Sequence, residues 1–253
     1  GAYDFLEKPI ALQKLLTTVG RAITRGEQRP HASAALAMLG RTPVIQELKQ
    51  RLERIAAGRA PVLIQGAPGC AFEACARAVH VPSNPWNVVE HGAQTVETPL
   101  DLLQAARGGT LFVRDVAEFN KLEQRGLQVL LSQAERYNVR VVCGATRPLS
   151  ELVAGGGYDD RVYQLLGATT IQLPLLREQR DDIPELAGVM LNDLVEQKRV
   201  PSRHFSTAAL NTLRTYDWPG NFSELRSVVQ TLANTAAGEQ ISVEEVQRVL
   251  PQS

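Results

Sequence analysis

Val62-Leu63-Ile64-Gln65-Gly66-Ala67-Pro68-Gly69-Cys70-Ala71-Phe72-Glu73 has the outline of a phosphate-binding loop. An apolar run suited to a buried strand leads into a turn with two glycines, and a helix-forming stretch continues through Ala78. In the pattern G-x-x-x-x-G-K-[ST], the glycines let the backbone curl around phosphate, the lysine reaches the β and γ phosphates, and the hydroxyl holds magnesium. Gly66 meets the first glycine. Ala71, Phe72 and Glu73 stand at the second glycine, the lysine and the hydroxyl. The shape of the loop is kept and its charge chemistry is missing.

The flanking sequence fits an α/β frame around this loop. Thr42-Pro43 reads as a helix start, with Thr42 at the N-cap and Pro43 at the first helical position. Ile45, Leu48, Leu52 and Ile55 give that helix one apolar face. Pro61 to Gln65 reads as a strand and Glu73 to His80 as a helix. Val88-Val89 is β-prone within a stretch holding three prolines, and Leu100 to Ala106 reads as a helix. Gly108 to Asp115 is a glycine turn running into a buried strand with charge at its carboxyl end. A helix over Leu122 to Ala134 and strands over Val139 to Thr146 and Ile171 to Leu175 follow. Strands alternating with helices predict a parallel, doubly wound sheet, whose ligands sit at the carboxyl ends of the strands. From Ile183 the pattern turns wholly helical, over Ile183 to Lys198, Thr207 to Tyr216, Asn221 to Ala237 and Val243 to Leu250. Ser206 and Asn221 are the expected caps, and Pro219-Gly220 breaks the chain between helices.

Composition narrows the function classes. Lys plus Arg and Asp plus Glu are 27 each, so the chain of 253 residues has no net field for nucleic acid or membrane. Hydrophobic residues at 44% are enough for a sizeable core. No apolar run reaches ~18 residues, so no membrane span is expected, and no secretory signal pattern opens the chain. The expected compartment is the cytoplasm. Cys70, Cys75 and Cys143 are an odd set without metal-ligand spacing, and they read as buried, reduced thiols. No metal site is expected.

Five phrases in fixed order carry a resemblance: Gly66 to Glu73, Gly108 to Asp115, Gly144-Ala145-Thr146, Leu173 to Ile183, and Trp218-Pro219-Gly220-Asn221-Phe222-Ser223-Glu224-Leu225-Arg226. Together they resemble the AAA+ domain of NtrC-type enhancer-binding proteins, response regulators that drive transcription by sigma-54 RNA polymerase, with the NtrX-like branch nearest in character. The similarity runs from about Leu39 to Leu250. It implies a parallel, doubly wound AAA+ core over 40–182 and a small all-helical lid over 183–253. Gly1-Ala2-Tyr3-Asp4-Phe5-Leu6-Glu7-Lys8-Pro9-Ile10 and the apolar helix after it resemble the last loop and helix of a receiver domain, with Lys8 as the lysine that touches the phosphorylation site. Residues 1–26 are thus expected to be a receiver's end and 27–39 a linker. The chain is expected to be a piece of a longer regulator, with a sensor kinase met through the receiver and DNA through a domain beyond this chain.

Against the family pattern, the resemblance implies losses. The family loop reads Gly-Glu-Ser-Gly-Thr-Gly-Lys-Glu, so the phosphate lysine is Phe72 and the second glycine is Ala71. The family's hydrolytic strand ends in Leu-Asp-Glu; here Arg114 stands at the magnesium aspartate and Asp115, one methylene shorter, at the catalytic glutamate. Asp159 and Leu165 occupy the positions of arginines that reach a neighbouring subunit's nucleotide, and Arg161 reads as a solvated surface charge. Ser223 replaces the arginine that senses the γ-phosphate. Only 34 residues, Ala74 to Arg107, separate the two nucleotide motifs, too few for the Gly-Ala-Phe-Thr-Gly-Ala loop that contacts the sigma factor. The resemblance therefore implies a non-enzymatic, self-associating scaffold with no catalytic residues, whose Gly66, Ala67, Pro68, Gly69, Cys70, Ala71, Phe72, Glu73, Arg114 and Asp115 are a vestigial nucleotide site. Two other readings stay open. One is a switch that binds ATP or ADP without hydrolysis, through loop N–H groups and the Leu39-Gly40 and Ile183 regions. The other is a working sigma-54 ATPase.

Overall fold

The computed structural model describes residues 35–251. The receiver-like start, Lys8 included, lies outside the described residues. The core runs α1 (Pro43–Ala56), β1 (Val62–Gln65), α2 (Phe72–Val79), β2 (Trp86–Val89), α3 (Gln94–Glu97), α4 (Pro99–Ala105), β3 (Thr110–Val113), α5 (Lys121–Gln133), β4 (Arg140–Ala145), α6 (Leu149–Ala154), α7 (Asp160–Leu166) and β5 (Thr170–Gln172). Five strands form one parallel sheet in the order β2-β3-β4-β1-β5. β1 lies near the centre, with Ile64 between Gly144 and Ile171.

Alternation along the strands divides the core into two layers. Leu63, Leu111, Val113, Val141 and Cys143 pack with α4, α5 and α7 on one face. Val62, Ile64, Phe112, Val142 and Ile171 pack with α1 and α2 on the other. Because both faces are covered, the strands read as continuous apolar runs rather than as alternating ones. All three cysteines are buried and free.

Arg140 fastens the sheet to the end of α1. It is 6% exposed, and its guanidinium donates to the carbonyls of Ile55 at 2.6 Å, Gly58 at 2.8 Å and Ala60 at 3.2 Å. An Arg140→Met variant keeps the stem but leaves those carbonyls without a donor. Urea unfolding is expected to show a loss of about 3 kcal/mol, because a charged donor's bonds are strong and stranded acceptors are costly.

The C-terminal part contains a 3₁₀ segment (Leu176–Asp182), then α8 (Ile183–Glu196), α9 (Thr207–Thr215), α10 (Asn221–Thr235) and α11 (Val243–Val249). Its own core gathers Ile183, Leu186, Met190, Trp218, Leu225 and Val229. The expected lid is there, with one addition to its helices: His204–Phe205 (β6) and Gln240–Ile241 (β7) form a two-residue parallel pair. Ser206 caps α9 as expected, accepting from the Ala209 N–H at 3.1 Å. Asn221 does not cap α10; it sits one residue inside the helix with φ +53°, and its side chain turns elsewhere. Thr42 stands at the N-cap of α1, but its hydroxyl does not cap the helix. The last residues of the expected linker are packed: Leu39 is buried in the core, with Leu36 against the same cluster.

Candidate functional site

The glycine loop turns at the carboxyl end of β1, the position at which an open parallel sheet holds its ligands. The Gly66 N–H donates to the Ala145 carbonyl at 3.2 Å, tying the loop to the end of β4. Two further loop N–H groups point back into the loop rather than into its hollow. Cys70 donates to Ala67 O at 3.2 Å and Phe72 to Cys70 O at 2.9 Å. Phe72 opens α2, one residue ahead of the expected start. Its ring lies under the loop: a Cβ built on Gly66 would lie 3.4 Å from Phe72 Cζ, and one on Gly144 3.2 Å from Phe72 Cδ1. The ring belongs to the apolar layer of Ile64, Phe112 and Val142. The Cys70 thiol lies 3.6 Å from the Pro174 carbonyl. Burial pushes its pKa up to about 11, which leaves it protonated and unreactive near neutrality.

Beside the loop, the charges form a closed set. Arg114 places one amino group 3.1 Å from Glu73 Oε2. Its Nε is 3.0 Å from Glu90 Oε2, although the N–H is not aligned to donate. The other oxygen of Glu73 is 3.3 Å from Arg77, whose guanidinium lies 4.4 Å from the Trp86 ring centre. Glu73 therefore faces a guanidinium at the positions where the loop pattern and its acidic strand would hold a metal ion. Asp115, left-handed at φ +53°, is exposed; its carbonyl accepts from the Glu118 N–H at 3.0 Å, and its carboxylate has no hydrogen bond or ion pair among the described residues. The described residues contain no group of three or more His, Cys, Asp or Glu side chains placed to hold a metal.

The lid rests on the loop directly. The Ser223 N–H donates to Gly69 O at 3.0 Å. Asn221 donates to Pro68 O at 3.1 Å and accepts from the Leu176 N–H at 3.0 Å. Gly69 has φ +85°, and a Cβ there would lie 2.0 Å from Gly220 O. Only glycine allows this approach. Between loop and lid a cleft of about 700 Å³ remains, walled by Met38, Ala71, Phe72 and Phe222, with Arg77 and Arg226 among its charged residues.

Of the expected site residues, Pro68 through Glu73, Arg114 and Asp115 line this cleft, and Gly66 and Ala67 form the base of the loop. Ser223 joins them, whereas Asp159 and Leu165 do not. Asp159 caps α7 through the Arg161 N–H, Leu165 is 41% exposed, and Arg161 is exposed as expected. Sequence reading missed Asn221 and Asp182 as contact residues, and also Met38 and Arg226. The one signal for Asn221 was its place after Pro-Gly, where asparagine tolerates a left-handed backbone.

Behind the site, His80 ends α2 and packs edge-on against Trp86 at 5.1 Å, with Nδ1 2.8 Å from Thr110 Oγ1. Burial first, and the Arg77 charge second, hold its pKa below the ordinary 6.5. The folded state thus resists a proton that the unfolded chain accepts. His80 contributes stability above 6.5 that is lost as pH falls through its lowered value. The urea midpoint is expected to drop between pH 7 and 5, and His80→Gln is expected to flatten that slope.

Comparison with known proteins agrees with this geometry. Residues 39–176 match the sigma-54 interaction domain and residues 177–253 the AAA+ ATPase lid domain. The chain belongs to the sigma-54 interaction domain family, with an AAA+ core and lid. It is 30% identical to the nitrogen assimilation regulatory protein NtrX of Azorhizobium caulinodans, over 94% of this chain and 61% of that protein. It is 31% identical to the transcriptional regulatory protein ZraR of Salmonella typhimurium, over 97% and 64%. A crystal structure of NtrX from Brucella abortus in complex with ADP superposes with a TM-score of 0.74 at 22% identity, covering 96% of this chain and 61% of that one. The chain thus spans somewhat over three-fifths of the length of these curated relatives. The two family models meet at 176/177, six residues before the expected boundary at 182/183.

Proposed function

We propose that this chain is the AAA+ module of a cytoplasmic two-component transcriptional regulator, that it has lost ATP hydrolysis, and that it serves as a scaffold for self-association between a receiver and a DNA-binding part. The observation that carries the reading is the Phe72 ring packed under the loop where the family has its phosphate lysine. Phosphoryl transfer is catalysed almost entirely by positioning and electrostatic stabilisation. A phenyl group packed between Gly66 and Gly144 supplies neither. Arg114 adds a second obstacle, because a guanidinium paired with Glu73 repels the magnesium ion a nucleotide brings.

Support for lost sigma-factor contact comes from the stretch between the motifs. Its 34 residues, Ala74 to Arg107, are taken up by α2, β2, α3, α4 and short links. A second reading, nucleotide binding without turnover, is favoured by the remaining cleft with Arg77 and Arg226 on its walls. Phosphate release from ATP tests the first reading, with release at the no-protein background expected. Light scattering across a concentration series tests self-association: a mass above one chain supports the scaffold, and a monomer at every concentration refutes it.

A further inference from the structure

We infer that residues 36–42 are a strap across the seam between core and lid, and that the strap and the lid's hold on the glycine loop are one coupled device. Three observations define it. First, neighbouring side chains go to opposite sides of the seam. Leu36 and Leu39 pack into the core layer on α1 and α2, whereas Met38 packs on the lid cluster. Met38 also stands with Met190, Leu194 and Val229 around a smaller hollow between α8 and α10.

Second, the Asp182 carboxylate receives the backbone of the strap. Asp182 is 4% exposed and is the residue before lid helix α8. It accepts from Arg41 N at 2.7 Å, Thr42 N at 3.1 Å and Thr42 Oγ1 at 2.7 Å. Those N–H groups lie in the turn that leads into α1, so Asp182 fastens from the lid side the entry to the helix. Its charge also suits the positive end of the helix. Gln179 donates to Leu39 O at 2.8 Å and to Asp182 at 3.1 Å, closing the set.

Third, the backbone fits without slack. Gly40 has φ +114°, and a Cβ there would lie 2.3 Å from Asp182 Oδ2.

The path to the loop is short and continuous. The 3₁₀ segment Leu176–Asp182 is held at its last residue by the strap and at its first by Asn221, which also holds Pro68. Moving the strap off Asp182 shifts this segment and weakens the Asn221 and Ser223 contacts on the loop. A contiguous set of hydrogen bonds gives the route, and the coupling must run equally in both directions.

Hydrogen exchange on the 253-residue chain tests the device. Met38→Ala and Asp182→Asn are expected to speed exchange of the Ser223 and Leu176 N–H groups about tenfold while sheet amides such as Val113 and Val142 keep their rates. Reciprocally, Asn221→Ala is expected to speed exchange at Arg41 and Thr42. Met38→Ala leaves every polar contact of the strap in place, so the test survives if Asp182→Asn fails to fold. Acceleration confined to residues 41–48, or spread evenly over lid and sheet, overturns the coupling.

Discussion

A Phe72→Lys exchange alone is expected to leave the chain without measurable ATP binding, whereas Ala71→Gly, Phe72→Lys and Arg114→Asp together are expected to create it. The single exchange empties the hollow between Gly66 and Gly144 and supplies an ammonium, but Arg114 still holds Glu73 at 3.1 Å where magnesium must enter. Replacing Arg114 by aspartate leaves Glu73 paired with Arg77 alone and places a carboxylate next to Asp115. The glycine at 71 lets the backbone approach phosphate. Calorimetry should then register magnesium-ATP binding with a Kd on the order of 0.1 mM, about −5.5 kcal/mol. Binding by the single variant at that strength would show that Arg114 is no barrier. Absence of binding by the triple variant, folded by circular dichroism, would show that the changes at 71, 72 and 114 are not the whole obstacle.

The second large effect is expected at Asn221. An Asn221→Ala variant removes the bonds to Pro68 O and Leu176 N, leaving both without a partner in a part-buried seam. It also puts alanine at φ +53°, a region asparagine visits more readily. Two stranded groups and the backbone penalty together amount to about 3 kcal/mol. Most of that should appear as easier lid opening, roughly a hundredfold faster exchange at the Ser223 N–H, since 1.4 kcal/mol is a factor of ten. Asn221→Gly, which accepts the backbone angle, should recover about 1 kcal/mol in urea unfolding. Equal losses in the two variants would assign the whole effect to the side-chain bonds.

The frame of the fold was legible because it is written locally. Four apolar runs became parallel strands, the β-prone Val88-Val89 became the fifth, at the sheet edge, and the Pro-Gly break preceded α10 as read. Of the short helices, α4 was read from its leucines, whereas α3, α6 and α7, of four, six and seven residues, were not, since so few turns leave the 3.6-residue period little room to show. At the site, position in the motif was enough to find Phe72 and Arg114. It could not show that the ring lies under its own loop, nor that Arg114 takes Glu73 and Glu90 as partners. Asp182 lay in a quoted phrase yet its role stayed hidden, because its partners Arg41 and Thr42 are 141 and 140 residues away. Residues such as Met38 and Leu39 read as linker for the same reason, as a short stretch gains its packing only once lid and core meet.

The central claim is that the loop and its strand no longer serve a magnesium nucleotide. Its most direct test is calorimetric titration of ATP with magnesium into the unaltered chain, followed by phosphate release from the same sample. The account predicts no saturable heat and release at background. One ATP bound per chain with turnover above background would contradict it.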